Sequence, residues 1–113
     1  MQGFDMNLLV LTEATFEQIS QRVNQASLTD AAARLLRRLL FSTASRVDFD
    51  KAGRILIPQF LRETAGIDSD AVVVGAGNYV EIWSPERWAA QVRLLQDAEV
   101  TTSRFEPYSI LFG

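Results

Sequence analysis

The residue types that could carry out chemistry in this chain are concentrated in one short charged segment, Asp50-Lys51-Ala52-Gly53-Arg54. An Asp carboxylate is suited to accept the backbone N–H groups of a tight turn, and Gly supplies the left-handed residue that closes it. The guanidinium of Arg54 suits a base edge or a phosphate, or an ion pair with Asp50 that closes the turn. Lys51 would lie at the tip, either as a phosphate contact or as a solvated side chain. The segment therefore predicts a binding turn that Asp50 and Gly53 hold in shape.

Basic charge gathers around this turn, although the chain as a whole is acidic. The formal net charge is −3, yet residues 34–54 contain six basic and two acidic residues, a net +4 that leaves −7 for the remainder. The overall acidity argues weakly against non-specific nucleic-acid binding, whereas the local basic charge is concentrated next to the turn. Arg46 belongs to the same segment and is a further candidate for DNA contact. Four more arginines are candidates for contact with DNA or a neighbouring subunit, with a solvated surface as the alternative: Arg34, Arg37, Arg38 and Arg62.

Cysteine and histidine are both absent from the sequence. Their absence removes the thiol nucleophile, the imidazole base and the usual zinc ligands. Asp48 and Asp50 lie two residues apart and could nominally hold a metal ion, but Arg46 and Arg54 offset their charge. We therefore expect a binding protein rather than an enzyme, with no catalytic residue, no metal ion and no cofactor.

Length and composition predict one globular domain. The chain has 113 residues, of which 48% are apolar and 22% charged, and this gives room for a modest single core. Its apolar runs are too short to span a membrane, and its first residues lack the pattern of a secretory signal. A cytoplasmic location is expected, with no membrane partner.

The hydrophobic periodicity predicts a mixed α+β fold. An apolar strand over Asn7–Leu11 precedes a helix that Thr12 caps, and a second helix follows the polar segment Ser27–Asp30. The second helix is expected to bury a stripe formed by Leu28, Ala32, Leu35, Leu36, Leu39 and Leu40.

Two β-hairpins are expected further along the chain. The arms of the first are Arg46–Asp50 and Arg54–Ile57, because apolar and polar residues alternate on either side of the turn. Pro58 ends the second arm, and a short helix over Gln59–Ala65 is expected to stop at Gly66.

The second hairpin is expected to join Ala71–Val74 to Tyr79–Trp83. Ser84 then starts a helix, with its hydroxyl as the cap and Pro85 in the first turn. Residues 99–113 are expected to form an irregular tail that docks through its apolar residues. The buried face of the helix is expected to consist of Trp88, Val92 and Leu95.

Two segments share one order of strand, hydroxyl cap and helix: residues 8–23 and residues 80–95. At an offset of 72, Thr12 aligns with Ser84 and Phe16 aligns with Trp88. A copy of the first hairpin shifted by this offset would fall before Met1. We therefore interpret the chain as the second copy of a repeat together with the end of the first copy.

An ordered set of motifs, from the turn to a Trp-bearing helix, resembles the MraZ family of transcriptional regulators. The resemblance covers roughly residues 1–95, and the order of the motifs makes it more specific than the turn alone. The motifs are Asp50-Lys51-Ala52-Gly53-Arg54-Ile55-Leu56-Ile57-Pro58, Leu61-Arg62-Glu63, Ala65-Gly66, Val74-Gly75 and Glu81-Ile82-Trp83.

The resemblance implies two tandem halves with AbrB-like swapped-hairpin folds and flanking helices. On that basis the chain divides into four parts. They are a remnant of the first half (1–26), a linking helix (27–45), the second half (46–98) and a C-terminal tail (99–113).

The resemblance also implies a repressor that binds promoter repeats of cell-division and cell-wall genes and is associated with the nucleoid. Members resemble ring-shaped homo-oligomers whose hairpins face DNA, and the DxxxR motif of the family falls on Asp50 and Arg54. One alternative stays open because of the acidic net charge and the missing first-half hairpin. On that alternative the chain is a protein–protein interaction module, or a truncated subunit without DNA binding of its own.

Overall fold

The fold combines a small antiparallel sheet with helices, in a computed structural model that describes residues 1–112. This arrangement confirms the α+β class. The strands are β1 (Leu8–Val10), β2 (Val72–Gly75) and β3 (Val80–Trp83). The α-helices are α1 (Glu13–Asn24), α2 (Ala31–Thr43), α3 (Gln59–Ala65), α4 (Pro85–Gln96) and α5 (Ala98–Phe105), and a 3₁₀ helix follows over Glu106–Phe112. Among these described helices, none has the length and apolar character needed to cross a bilayer.

Strand β3 lies at the centre of the sheet, between β1 and β2. Its antiparallel pairing with β1 places Leu8 opposite Ile82 and Val10 opposite Val80. Its pairing with β2 confirms the second predicted hairpin, whose turn contains Gly77 with a φ of 82°. The sheet therefore joins residues from the beginning of the chain to residues near its end.

Side-chain caps begin three of the helices at the predicted positions. The Thr12 hydroxyl accepts the N–H of Thr15 at 3.1 Å, and the Ser84 hydroxyl accepts the N–H of Arg87 at 3.2 Å. The Asp30 carboxylate accepts a backbone N–H at the start of α2 in the same way. Each cap satisfies a donor that the first turn of a helix leaves unpaired. Both α1 and α4 then run for 12 residues.

The core lies between the sheet and α3. Four buried side chains form it, and three partly buried residues pack against them. Gly66 ends α3 in the left-handed conformation, with a φ of 68°. The buried set is Leu8, Leu61, Ala65 and Ile82, surrounded by Val10, Ile57 and Ile67.

The turn of the first predicted hairpin is confirmed, but the prediction of two paired strands beside it is wrong. The turn closes because Gly53 N–H donates to the Asp50 carbonyl and Asp50 N–H donates to the Arg54 carbonyl. Residues 44–49 and 54–58, however, form no strand. Phe49 and Leu56 on the two arms expose 70% and 81% of their surface. A two-stranded hairpin whose outward apolar side chains are left uncovered is marginal in water, and this accounts for the unpaired arms.

The expectation of an irregular tail is also wrong. Asp97 caps α5 by accepting the N–H groups of Glu99 and Val100, so the segment has a local helix start that composition did not reveal. Two apolar side chains of the tail are strongly exposed, Ile110 at 82% and Leu111 at 74%. The last residue of the predicted tail, Gly113, lies outside the described residues.

Two predicted apolar stripes are only partly buried. Helix α2 buries Ala33 and Leu40, whereas Leu28 and Leu35 expose 71% and 65% of their surface. Helix α4 likewise leaves Leu95 exposed. The sequence period placed Leu35 and Leu95 correctly on helices, whereas Leu28 lies in the turn before α2. The period did not specify which helix faces this chain covers by itself.

Replacing Gly66 by Ala should lower the free energy of unfolding by about 1–2 kcal/mol, because a side chain is strained in the left-handed conformation. Chemical denaturation followed by far-UV circular dichroism measures this change. The matched control is Gly75→Ala, since Gly75 has no positive φ and has open space around it. Equal destabilisation by the two substitutions would contradict the proposed role of the Gly66 conformation.

Candidate nucleic-acid interface

The Asp50 carboxylate organises the turn through both of its oxygens. Its Oδ1 accepts the backbone N–H groups of Ala52 at 2.9 Å and of Arg54 at 2.8 Å. Its Oδ2 accepts the Arg54 Nε–H at 2.9 Å. The Arg–Asp pair considered from the sequence is therefore formed, together with the turn bonds expected of Asp50. One side chain fixes both the backbone of the turn and the direction of the guanidinium.

The hydrogen bonds also hold the pKa of Asp50 below its ordinary value of 3.8. The backbone N–H of Arg54 is the largest cause, and partial desolvation opposes it. The Arg54 side chain and the N–H groups of Ala52 and Gly53 lower the pKa further. Each of these donors stabilises the charged carboxylate. Asp50 is therefore ionised at neutral pH and continues to hold Arg54.

Arg54 keeps its outer donors available. Its contact with Asp50 uses Nε, and in the described part of the chain its Nη groups donate no hydrogen bond. The side chain is 79% exposed. A guanidinium held at one edge can present its remaining donors to a phosphate or to a guanine edge. Lys51 is exposed beside it at the tip and forms no ion pair within residues 1–112.

Arg46 is engaged elsewhere. Its Nε lies 3.1 Å from a carboxylate oxygen of Glu13 and 3.9 Å from Asp48. The first contact ties the start of the hairpin arm to the first turn of α1. All three side chains are largely exposed, so water screens these pairs and a phosphate could replace them.

Two of the three arginines of α2 bind the backbone. The Nη2 of Arg37 donates to the carbonyls of Asn24 and Ala26, at the end of α1. The Nη1 of Arg34 donates to the Leu28 carbonyl at 3.0 Å. These contacts satisfy carbonyls that the end of a helix and a turn leave free. The geometry gives both side chains structural contacts and brings neither of them to Arg54.

The remaining candidates differ in their surroundings. Arg38 is exposed and takes part in no hydrogen bond or ion pair among residues 1–112. Arg62 is partly buried on α3, and its Nε is buried without a partner in the described part of the chain. Sequence reasoning missed Glu13 as the partner of Arg46. A glutamate in the first turn of a helix is favourable by itself, so the sequence offered no reason to look for a basic partner.

An open apolar groove of about 530 Å³ lies between two parts of the molecule. On one side are β1 and the start of α1, and on the other are the two unpaired arms of the first hairpin. Both the sheet and the arms contribute apolar side chains to it, so the groove suits an apolar strand better than a nucleic acid. Among its lining residues are Leu8, Val10, Phe16, Ile55, Ile57 and Leu61. In the described residues, no group of three or more acidic side chains converges to hold a metal ion.

The hydrogen bonds that the ionised Asp50 carboxylate accepts should stop stabilising the folded turn in acid. Because the folded pKa of Asp50 lies below 3.8, the contribution is complete above the ordinary value and is lost as the pH falls through the folded value. A pH titration followed by the NMR resonance of the Arg54 amide should therefore report a midpoint below 3.8. The Asp50→Asn variant, which cannot titrate, is the control and should show no such transition. A midpoint at or above the ordinary value would contradict this account of the turn.

Comparison with known proteins places the chain in a family. The family described as "MraZ protein, putative antitoxin-like" matches residues 40–106. A protein of Thermomicrobium roseum named "Transcriptional regulator MraZ" is 45% identical over 94 residues, which are 83% of this chain and 66% of the relative.

Proteins of the same name from two other organisms give similar results. The protein of Symbiobacterium thermophilum is 48% identical over 78% of this chain and 64% of its own length. That of Herpetosiphon aurantiacus is 45% identical over 77% of this chain and 61% of its own length. The chain thus spans slightly less than two thirds of the curated relatives it matches. Both the matched family and the relatives lead to one conclusion: this chain is a member of the MraZ family.

Proposed function

We propose that this chain is a DNA-binding transcriptional regulator, a nucleoid-associated repressor that acts on promoter repeats of cell-division and cell-wall genes. The observation that carries the proposal is the exposed Arg54 guanidinium, which Asp50 orients through Nε. A donor group held in advance loses less conformational freedom on binding than a free side chain does. The name "Transcriptional regulator" of the relatives supports the regulatory part of the proposal.

In the proposed mechanism one residue contributes mainly charge and the other contributes mainly geometry. Lys51 at the tip supplies attraction to phosphate, while Arg54 reads a base edge or fixes the turn on the backbone. A single turn offers few contacts, so its affinity for one site is low. Several turns held in one assembly would bind a repeated site strongly, because each later contact becomes intramolecular.

The assembly we propose is a cytoplasmic homo-oligomer of swapped hairpins. The unpaired arms, with Phe49 and Leu56 exposed, supply backbone free to pair with a strand and apolar side chains. The groove between those arms and β1 supplies a place for the same hairpin of a second copy. In this arrangement residues 46–98 form one half, residues 1–26 the end of another, residues 27–45 link them, and residues 99–113 form a tail.

A protein–protein interaction module is the second candidate. The open groove and the exposed arms favour it, because both features suit a polypeptide strand. On this reading the chain pairs through the hairpin but has no useful affinity for DNA. The two candidates differ in one measurement, the affinity of the assembled protein for promoter DNA.

Replacing Arg54 by Ala should cost about 1–3 kcal/mol in binding to promoter DNA that carries direct repeats. Its thermal stability should change little, because the ion pair it loses is exposed. Fluorescence anisotropy at several salt concentrations, with a thermal melt of each sample, measures both quantities.

Arg104→Ala is the matched control for this experiment, since it removes the same charge from the last turn of α5. The control should leave binding nearly unchanged. Equal losses in the two variants would reduce the role of Arg54 to net charge, and an Arg54→Ala variant that binds normally would refute the interface. An oligomer whose wild-type form ignores DNA would favour the interaction module.

Leu56→Asp should dissociate the swapped hairpins, because it places a carboxylate where an apolar contact is expected. Light-scattering mass should fall relative to the wild-type protein at the same concentration. Val73→Asp is the control, since Val73 is also well exposed, at 68%, but lies on β2. An unchanged mass for Leu56→Asp would contradict the hairpin contact.

A further inference from the structure

Glu13 ties the base of the first hairpin to helix α1. Arg46, the first residue of the hairpin arm, has its Nε 3.1 Å from a carboxylate oxygen of Glu13 and 3.9 Å from one of Asp48. One guanidinium therefore lies beside two carboxylates, which gives a local charge of −1. A DNA phosphate that approached the base of the hairpin would meet this negative charge and not a free arginine. In the free chain the two carboxylates therefore keep Arg46 occupied.

The position of Arg46 along the arm suits a contact with the edge of a DNA groove. Arg46 lies four residues before Asp50, a separation of at most about 14 Å in an extended chain. The major groove of B-DNA is about 8.5 Å deep, and phosphates run along both of its edges. A turn that brings Arg54 to the base edges would therefore bring Arg46 to the level of the phosphates. Such a contact adds affinity and carries no sequence information.

Glu13 can release Arg46 at little cost. It lies in the first turn of α1, where the partial positive charge of the helix N-terminus stabilises a carboxylate that has no other partner. Thr12 caps the same helix end without any contribution from Arg46. The side chains of Glu13 and Arg46 are both largely exposed, so water can replace the contact between them. An exchange of Glu13 for a phosphate therefore leaves no buried charge unpaired.

We propose that Glu13 is a positioning residue, which holds Arg46 in the free chain and releases it to a DNA phosphate when the hairpin binds. Glu13 thereby lowers the affinity for DNA and makes binding depend more strongly on Arg54 in the turn. This proposal rests on the proposed function, DNA binding through the hairpin, and adds to it the residue that controls a second contact. It concerns a single hairpin, so it does not depend on how copies of the chain assemble.

Glu13→Gln should raise the affinity for promoter DNA with direct repeats by at least roughly twofold at low salt, because Arg46 no longer has to leave an ion pair. Glu17→Gln is the matched control. It removes the same charge one turn further along α1, from a residue that forms no ion pair among residues 1–112. Fluorescence anisotropy measures the affinities, and circular dichroism establishes that each variant is folded. Equal gains in the two variants would overturn the proposal, since the effect would then be one of net charge.

A double-mutant cycle tests whether Glu13 acts through Arg46. Arg46→Ala should weaken binding and should reduce the slope of log affinity against log salt by about 0.9 for each phosphate contact that is lost. When Arg46 is already alanine, Glu13→Gln should bring no gain beyond that of Glu17→Gln. An undiminished gain in that background would refute the exchange of partners.

The NMR resonance of the Arg46 Nε–H distinguishes failure of this proposal from failure of the proposed function. In the free protein the resonance should shift on Glu13→Gln, and in the wild-type protein it should shift when promoter DNA is added. Wild-type protein that binds DNA while this resonance stays unmoved would overturn the exchange alone, and the proposed function would stand. Wild-type protein that ignores DNA would overturn both.

Discussion

The antiparallel pairing of β1 with β3 is the contact on which the rest of this structure depends. It brings Leu8 and Ile82 together on one face of the sheet, and Leu61 and Ala65 of α3 pack against them to form the core. The two helices that follow the paired strands, α1 and α4, therefore start from one sheet. Because α1 begins there, Glu13 lies where it can hold Arg46. A pairing between the two ends of the chain thus determines where the first hairpin leaves the body of the protein.

The Asp50 turn has a different origin, since it depends on neighbours in sequence. The carboxylate, the turn N–H groups and the Arg54 guanidinium all lie within five residues, so the segment can form the same geometry in any setting. This independence suits a recognition element, whose shape must hold while the arms behind it change partners. The arms have the opposite property, because their apolar residues gain stability only from contacts that the turn cannot provide.

The difference between contacts among sequence neighbours and contacts between distant residues explains what could be predicted from the sequence. Thr12, Ser84 and Gly66 act through hydrogen bonds or backbone angles within a few residues, and the sequence patterns located all three helix ends. The Asp50–Arg54 pair was anticipated for the same reason. The contact of Arg46 with Glu13 crosses more than thirty positions, and nothing in the spacing indicates it. The exposure of Leu28 and Leu35 could not be predicted either, because periodicity defines a face without identifying what covers it.

The proposed exchange of hairpins would have a consequence for how DNA is bound. Copies of one chain in a closed homo-oligomer take equivalent positions around a symmetry axis. In a closed ring every Asp50 turn would have a symmetry-related equivalent at a fixed distance. That regular spacing is what a regulator needs in order to bind repeated sites along one DNA duplex, since the gain from multivalency depends on a match between the two spacings.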